Sequence, residues 1–168
     1  SHSHTHSDAT FNSMMHQRTR TVPYQRLRIR RCSNGSFDSA SEMRRVHTLV
    51  ARGEISRFKK CKFQACVLRI EAAEDVAGAV AEVTRDKKVR KATHGAMYAW
   101  RVDALQSGCD DSGESGAGRR LLQLLERRRA ENTFIAVTRW YGGKHLGGAR
   151  VRAITSCAKG LLARTSPG

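Results

Sequence analysis

The chain has 168 residues, long enough for one domain with a buried core plus a tail. Its 31 Lys and Arg outnumber 15 Asp and Glu, and the net charge of +16 points to polyanionic partners without choosing among nucleic acid, ribosome, acidic protein or anionic lipid. No apolar run approaches the ~20 residues that a membrane span needs, and the five cysteines (Cys32, Cys61, Cys66, Cys109, Cys157) show no CxxC spacing, against a zinc site or a disulfide framework. With no secretory signal, the expectation is a cytoplasmic protein with buried or inert thiols and no membrane contact.

Residues 1–45 read as a basic, largely disordered arm, and 46–168 as the folded domain. In the arm, His2, His4 and His6 alternate as a solvated tail or a weak metal grip, and the six arginines from Arg18 to Arg31, interleaved with Leu27 and Ile29, fit a basic edge strand as well as a basic arm. Residues 47–52 (HTLVAR) and 58–70 (FKKCKFQACVLRI) predict strands. In the second, Phe63, Ala65 and Val67 face one way and Cys66, Leu68 and Ile70 the other, so it belongs in the middle of a sheet. Residues 71–84 predict a helix with Val76, Val80 and Val83 inward, followed by a charged connection over 86–91. A strand over 96–102 sets Tyr98, Trp100 and Val102 on one face. A Gly- and Ser-rich loop over 103–118 then leads to a leucine-rich helix over 119–129. A strand begins at Phe134, and a last helix runs from about 148 to 163, burying Val151, Ile154, Cys157 and Leu161. The alternation predicts a two-layer α/β (α+β) domain: a mixed sheet with helices on one face.

Chemistry-bearing residues gather in three places. The first is 134–148 (FIAVTRWYGGKHLGG), a strand, a glycine-rich turn and a helix start. Its Arg139 sits in an apolar run, where an unpaired charge is costly, so it requires a dedicated partner. The turn is neither a Walker loop nor GxGxxG. It reads equally as an anion site or as a tight turn whose glycines let helix and strand approach. The second is the acidic loop with Asp110, Asp111 and Glu114, read as compensation at a helix start plus pairing with a cation such as Arg139, the alternative being a hard-metal site, for which two or three carboxylates on one loop rarely suffice. The third is Thr93-His94, where the histidine is either a general base or a hydrogen-bonded strand residue. No triad or paired-carboxylate site is marked out. Trp100, Trp140, Tyr98 and Tyr141 lie in strands and read as core rather than as stacking platforms.

The run 110–122 (DDSGESGAGRRLL), then Thr138-Arg139-Trp140-Tyr141-Gly142-Gly143 with Leu146-Gly147, resembles the Impact family. Phe63-Gln64-Ala65 and Ala92-Thr93-His94, with Tyr98-Ala99 and Arg101, match two further family segments in order, so the resemblance covers about 54–163. That family includes the vertebrate Impact protein, its yeast counterpart and bacterial YigZ, and the match is closest to eukaryotic members. The resemblance implies a fold like the second domain of small-subunit ribosomal protein five. It implies translational control in eukaryotic members, through competition for the ribosome-associated activator of an initiation-factor-2 kinase, with actin as a further partner. Competition for the activator depends largely on an N-terminal RWD domain in the family, and the segment before residue 46 is too short for one. The kinase-regulating role is therefore not expected to transfer directly. Ser112 reads as an insertion in the acidic loop, and Gly148-Ala149 departs from the family before Arg150.

The resulting reading is a non-enzymatic translation-regulatory protein that binds a translation-machinery protein or the ribosome, without catalytic residues, metal or cofactor. Its binding residues are His94, Asp110, Asp111, Glu114, Arg139, Trp140, Tyr141, Gly142, Gly143, Lys144, Gly147 and Arg150. The alternatives are an RNA-binding module with a basic surface and, third, an enzyme acting on a phosphorylated ligand at the glycine turn.

Overall fold

The computed structural model describes residues 48–165; the expected arm, its histidines, its arginine cluster and Cys32 lie outside the described residues. The elements run β1 (Leu49–Arg52), β2 (Ser56–Phe58), β3 (Cys61–Arg69), α1 (Asp75–Thr84), α2 (Lys87–Arg90), β4 (His94–Arg101), β5 (Ser107–Asp110), α3 (Ala117–Arg127), β6 (Thr133–Trp140) and α4 (Ala149–Thr165). One sheet has the order β1-β3-β6-β4-β5, with β2 also pairing β3. As its two apolar faces require, β3 is central, flanked by β6 along its length and by β1 and β2 on the other side. The two short strands form one edge broken at Gly53, whose N–H still donates to the Ala65 carbonyl at 2.9 Å.

Two expectations are corrected. The sheet is antiparallel at every pairing among the described residues rather than mixed. The physical reason is the connectivity: β6 returns between β3 and β4, which run alike, and so opposes both. Helices also cover both faces instead of one. Odd-numbered positions of the central strands (Phe63, Ala65, Met97, Ile135, Val137) pack with Leu121 and Leu125 of α3 and Ile154, Ala158 and Leu161 of α4. Even-numbered positions (Cys66, Leu68, Ala96, Phe134, Ala136) pack with Ala79 and Val83 of α1 and Val89 of α2. An apolar second face left uncovered would expose core side chains to water, and the small α1–α2 layer removes that cost.

This placement has a topological consequence. The crossover through α1–α2 joins β3 to β4, and the one through α3 joins β5 to β6. Each skips one strand, and relative to strand direction the two step the same way. Because they lie on opposite faces, they have opposite hands, so one departs from the right-handed rule.

Local chemistry explains the element boundaries. Asp75 accepts hydrogen bonds from the N–H groups of Glu71 and Ala72 at 2.8 and 3.0 Å, so 71–74 form a turn and α1 starts later than expected. In the charged connection, the Asp86 side chain caps the Lys88 N–H at 2.8 Å and nucleates the short α2. In α4, Ala158 and Leu162 are buried where Val151 and Cys157 were expected; those two are half-buried.

Candidate functional site

Four segments converge where β6 ends. Arg139 is 6% exposed and lies on the α3–α4 side of the sheet, as Ile135 and Val137 do. Its antiparallel neighbour in β4 is His94, and the register shifts by one residue between His94 and Met97. That irregularity turns His94 toward Arg139's face, a common use of a bulge. The β5–α3 loop supplies Glu114 and the first turn of α4 supplies Arg150.

Glu114 is the hub, with only 3% of its surface exposed. Its Oε2 accepts a charge-assisted hydrogen bond from Arg139 Nη1 and lies 3.4 Å from His94 Nε2. Its Oε1 lies 2.6 Å from Arg150 Nε, an ion-pair contact in which the N–H is not aligned as a hydrogen bond. Arg139 Nη2 reaches Cys61 Sγ at 3.8 Å, while Arg139 Nε is buried with no hydrogen-bond partner. Burial pulls the Arg139 pKa down, but hydrogen bonding to Glu114 and Cys61 and the charge of Glu114 outweigh it and hold the guanidinium above its ordinary value. Around this single carboxylate stand two arginines and a histidine. Removing it would strand buried positive charge.

The loop DDSGESGAG delivers Glu114 by curling its other carboxylates onto its own backbone. Asp110 accepts from the Ser112 N–H at 2.7 Å, and Asp111 from the N–H groups of Gly116 and Gly118 at 2.9 and 2.7 Å. Ser112, Gly113 and Gly116 all take positive φ. A Cβ on Gly118 would stand 2.6 Å from the Asp110 carbonyl oxygen, so only glycine permits this fold-back. The Ser112 carbonyl, 3.0 Å from His94 Nδ1, orients the imidazole from its other side. Among the expected binding residues, then, His94, Glu114, Arg139 and Arg150 are brought together, while Asp110 and Asp111 shape the loop that carries Glu114.

The glycine turn serves mainly as a spacer. A Cβ on Gly142 would fall inside the Lys60 backbone, so the β6 exit lies directly on the β2–β3 turn. Gly143 and Gly147 have positive φ. The N–H groups of Ala149 and Arg150 donate to Leu146 and Gly147 at 3.1 and 3.2 Å, which occupies donors that an anion would otherwise meet. Lys144 is exposed, and its carbonyl accepts from Cys61 Sγ at 3.8 Å. Trp140 is half-buried, with Nε1 donating to the Lys88 carbonyl at 3.0 Å. Tyr98 and Trp100 pack against the α1–α2 face as expected, but Tyr141 is corrected: it is 40% exposed, past the last paired residue of β6. Its N–H donates to Thr93 Oγ1 at 3.1 Å, and its ring lies near His145 and the Arg139 guanidinium.

Sequence reasoning passed over Cys61, which touches the network; the one pointer to it is that it shares a face of β3 with Phe63, the partner of Arg139 across β3 and β6. Burial pushes the Cys66, Cys109 and Cys157 thiols up, keeping them neutral and poor nucleophiles at physiological pH. Among the described residues, no helix is long and apolar enough to cross a membrane.

Comparison with known proteins identifies the family. Residues 59–162 match the model of the Impact N-terminal domain, and the chain belongs to the Impact family. It is 34% identical over 139 residues to the IMPACT family member YDL177C of Saccharomyces cerevisiae, a match covering 60% of this chain and 82% of that one. Protein IMPACT of Mus musculus is 36% identical over 118 residues, which are 67% of this chain but 37% of the mouse protein. The crystal structure of a hypothetical protein shares the fold with a TM-score of 0.62 at 26% identity, covering 69% of this chain and 59% of that one. The chain thus spans most of the yeast relative and little more than a third of the mouse protein.

Proposed function

We propose that this chain is a cytoplasmic translation-regulatory member of the Impact family that acts by binding a translation-machinery protein or the ribosome, not by catalysis. The observation that carries the reading is the Glu114 network. One buried carboxylate ties together the start of β4, the β5–α3 loop, the end of β6 and the start of α4. A buried ion network earns its place more by fixing geometry than by adding stability. Here it holds an exposed rim (Tyr141, Lys144 and the 142–148 turn) in one arrangement, as a binding surface requires. Folded into the loop backbone or the ion network, the carboxylates leave that rim basic, which suits an acidic or RNA-rich partner.

The domain 46–168 would carry this activity, with the basic residues of 1–45 adding charge. Affinity capture from lysate at physiological salt, read by mass spectrometry, tests the reading. Recovery of ribosomal proteins or translation factors, reduced by Tyr141→Ala with Lys144→Glu, supports it. Recovery of no translation component overturns it.

A further inference from the structure

A concavity of about 500 Å³ lies beside the β6 exit, lined by Ile55, Lys60, Lys62, Lys88, Trp140 and Tyr141, with Gly142 at its margin. Its parts come from four places in the chain. Lys62 is the register partner of Trp140 across β3 and β6. Lys60 is held at positive φ in the β2–β3 turn, against Gly142. Lys88 is fixed because its carbonyl accepts the Trp140 indole N–H. Tyr141 is anchored through its N–H to Thr93 while 40% of its surface stays open. No lining side chain is a carboxylate, and among the described residues none of the three lysines has an ion-pair partner.

We infer that this concavity binds single-stranded nucleic acid, with Tyr141 and Trp140 offering ring surface to a base and Lys60, Lys62 and Lys88 meeting the flanking phosphates. Three lysines without ion-pair partners, lining the same concavity as two aromatic side chains, match a ligand that alternates flat rings with negative charge, the combination that single-strand binders use. An acidic peptide would satisfy the lysines but leave the aromatic surface without a flat partner. A duplex would present its phosphates with its bases already stacked. The volume suits a small-ligand site, which runs ~300–1,000 Å³, and the open mouth admits a continuing strand. The concavity shares Tyr141 and Gly142 with the rim of the translation reading but does not rest on that reading, and Lys62 and Lys88, which lie outside the rim, tell the two apart.

The test uses the full chain and fluorescence anisotropy with labelled dodecauridylate, dodecathymidylate and a hexaglutamate peptide over a salt series. Lys62→Ala with Lys88→Ala should make the dependence of log affinity on log salt shallower by about 1.4, at ~0.7 per phosphate contact for single strands. The matched pair Arg152→Ala with Lys159→Ala, exposed on α4, should leave that slope nearly unchanged. Tyr141→Ala should weaken binding roughly 5- to 150-fold with the slope retained, as loss of one stacked base does, and Tyr141→Phe should restore it. Circular dichroism checks that each variant is folded. Equal binding of the two oligonucleotides supports readout of base and phosphate alone, and tighter binding of the RNA adds 2′-hydroxyl contacts to the same site. The inference is overturned if neither oligonucleotide binds at low salt, if the α4 pair flattens the slope as much as the concavity pair, or if hexaglutamate displaces the oligonucleotide at equal charge.

Discussion

Replacing Glu114 with Gln keeps the side chain's size and removes only its charge. In the native protein that charge faces Arg139, at 7% side-chain exposure, and Arg150, at 37%. Arg139 cannot turn to water for a substitute: Phe63 across β3 and Val137 along β6 are fully buried core residues, and its Nε already has no partner. Breaking a buried pair from one side costs about 3–5 kcal/mol, mostly the stranded charge. Arg150 is exposed enough to re-solvate, so it should add little. For a folded region of this size, at roughly 3–5 °C per kcal/mol, Glu114→Gln should lower the melting temperature by about 10–20 °C. A double-mutant cycle isolates the pair. Glu114→Leu with Arg139→Met removes both charges and should recover much of the loss, giving a coupling energy of about 2 kcal/mol or more in urea denaturation. A cost below about 1 kcal/mol for Glu114→Gln, or strictly additive single changes, would refute the view of Glu114 as the hub.

Four further outcomes are expected. Gly142→Ala should destabilise by about 2–3 kcal/mol or more because the new methyl collides with the Lys60 backbone, which has no room to yield. Gly148→Ala, with nothing within 4 Å of the added Cβ, should stay within about 0.5 kcal/mol in the same urea titration. Burial raises the Cys66, Cys109 and Cys157 thiols above their ordinary 9.0, so the folded state holds those protons longer than the unfolded chain. Their contribution is complete below pH 9 and lost as pH rises through the folded values. The urea midpoint of the native protein should therefore fall more between pH 8.5 and pH 10.5 than that of the triple alanine variant, and a steeper fall in the variant would contradict the burial argument. Leu125→Ala, emptying a position with no exposed surface, should cost about 2–5 kcal/mol by chemical denaturation.

Much of the fold could be read from side-chain periodicity. The double-sided apolar run of β3, the Tyr98–Trp100 face of β4 with Val102 just beyond it, and the leucines of α3 all occupy the positions that their spacing implies. What escaped were elements whose determinants are not local patterns. Three-residue β2 is held by its neighbour β3 and by positive φ at Lys59 and Lys60, where no glycine marks the turn. β5 hides in a polar, Gly-rich stretch because its Gly108 must lie under the Trp100 ring. The second helical layer was implied by the apolar Cys66, Leu68 and Ile70, but strand–helix alternation alone does not say which face a crossover takes. For the site, Arg139's need for a partner was legible from one charge in an apolar run. Which of Asp110, Asp111 and Glu114 met that need was not, because the choice depends on loop dihedrals and on the glycine at 118. Tyr141's exposure likewise depends on where β6 stops pairing.

The central claim, that the surface held by Glu114 engages the translation machinery, is tested most directly by sucrose-gradient sedimentation of cell extract at physiological salt. The full chain is compared with the Tyr141→Ala, Lys144→Glu variant. The account predicts native protein in the ribosome-containing fractions and the variant, still folded by circular dichroism, shifted to the top of the gradient. Native protein confined to the top, or a variant that co-sediments as well as the native chain, would contradict it.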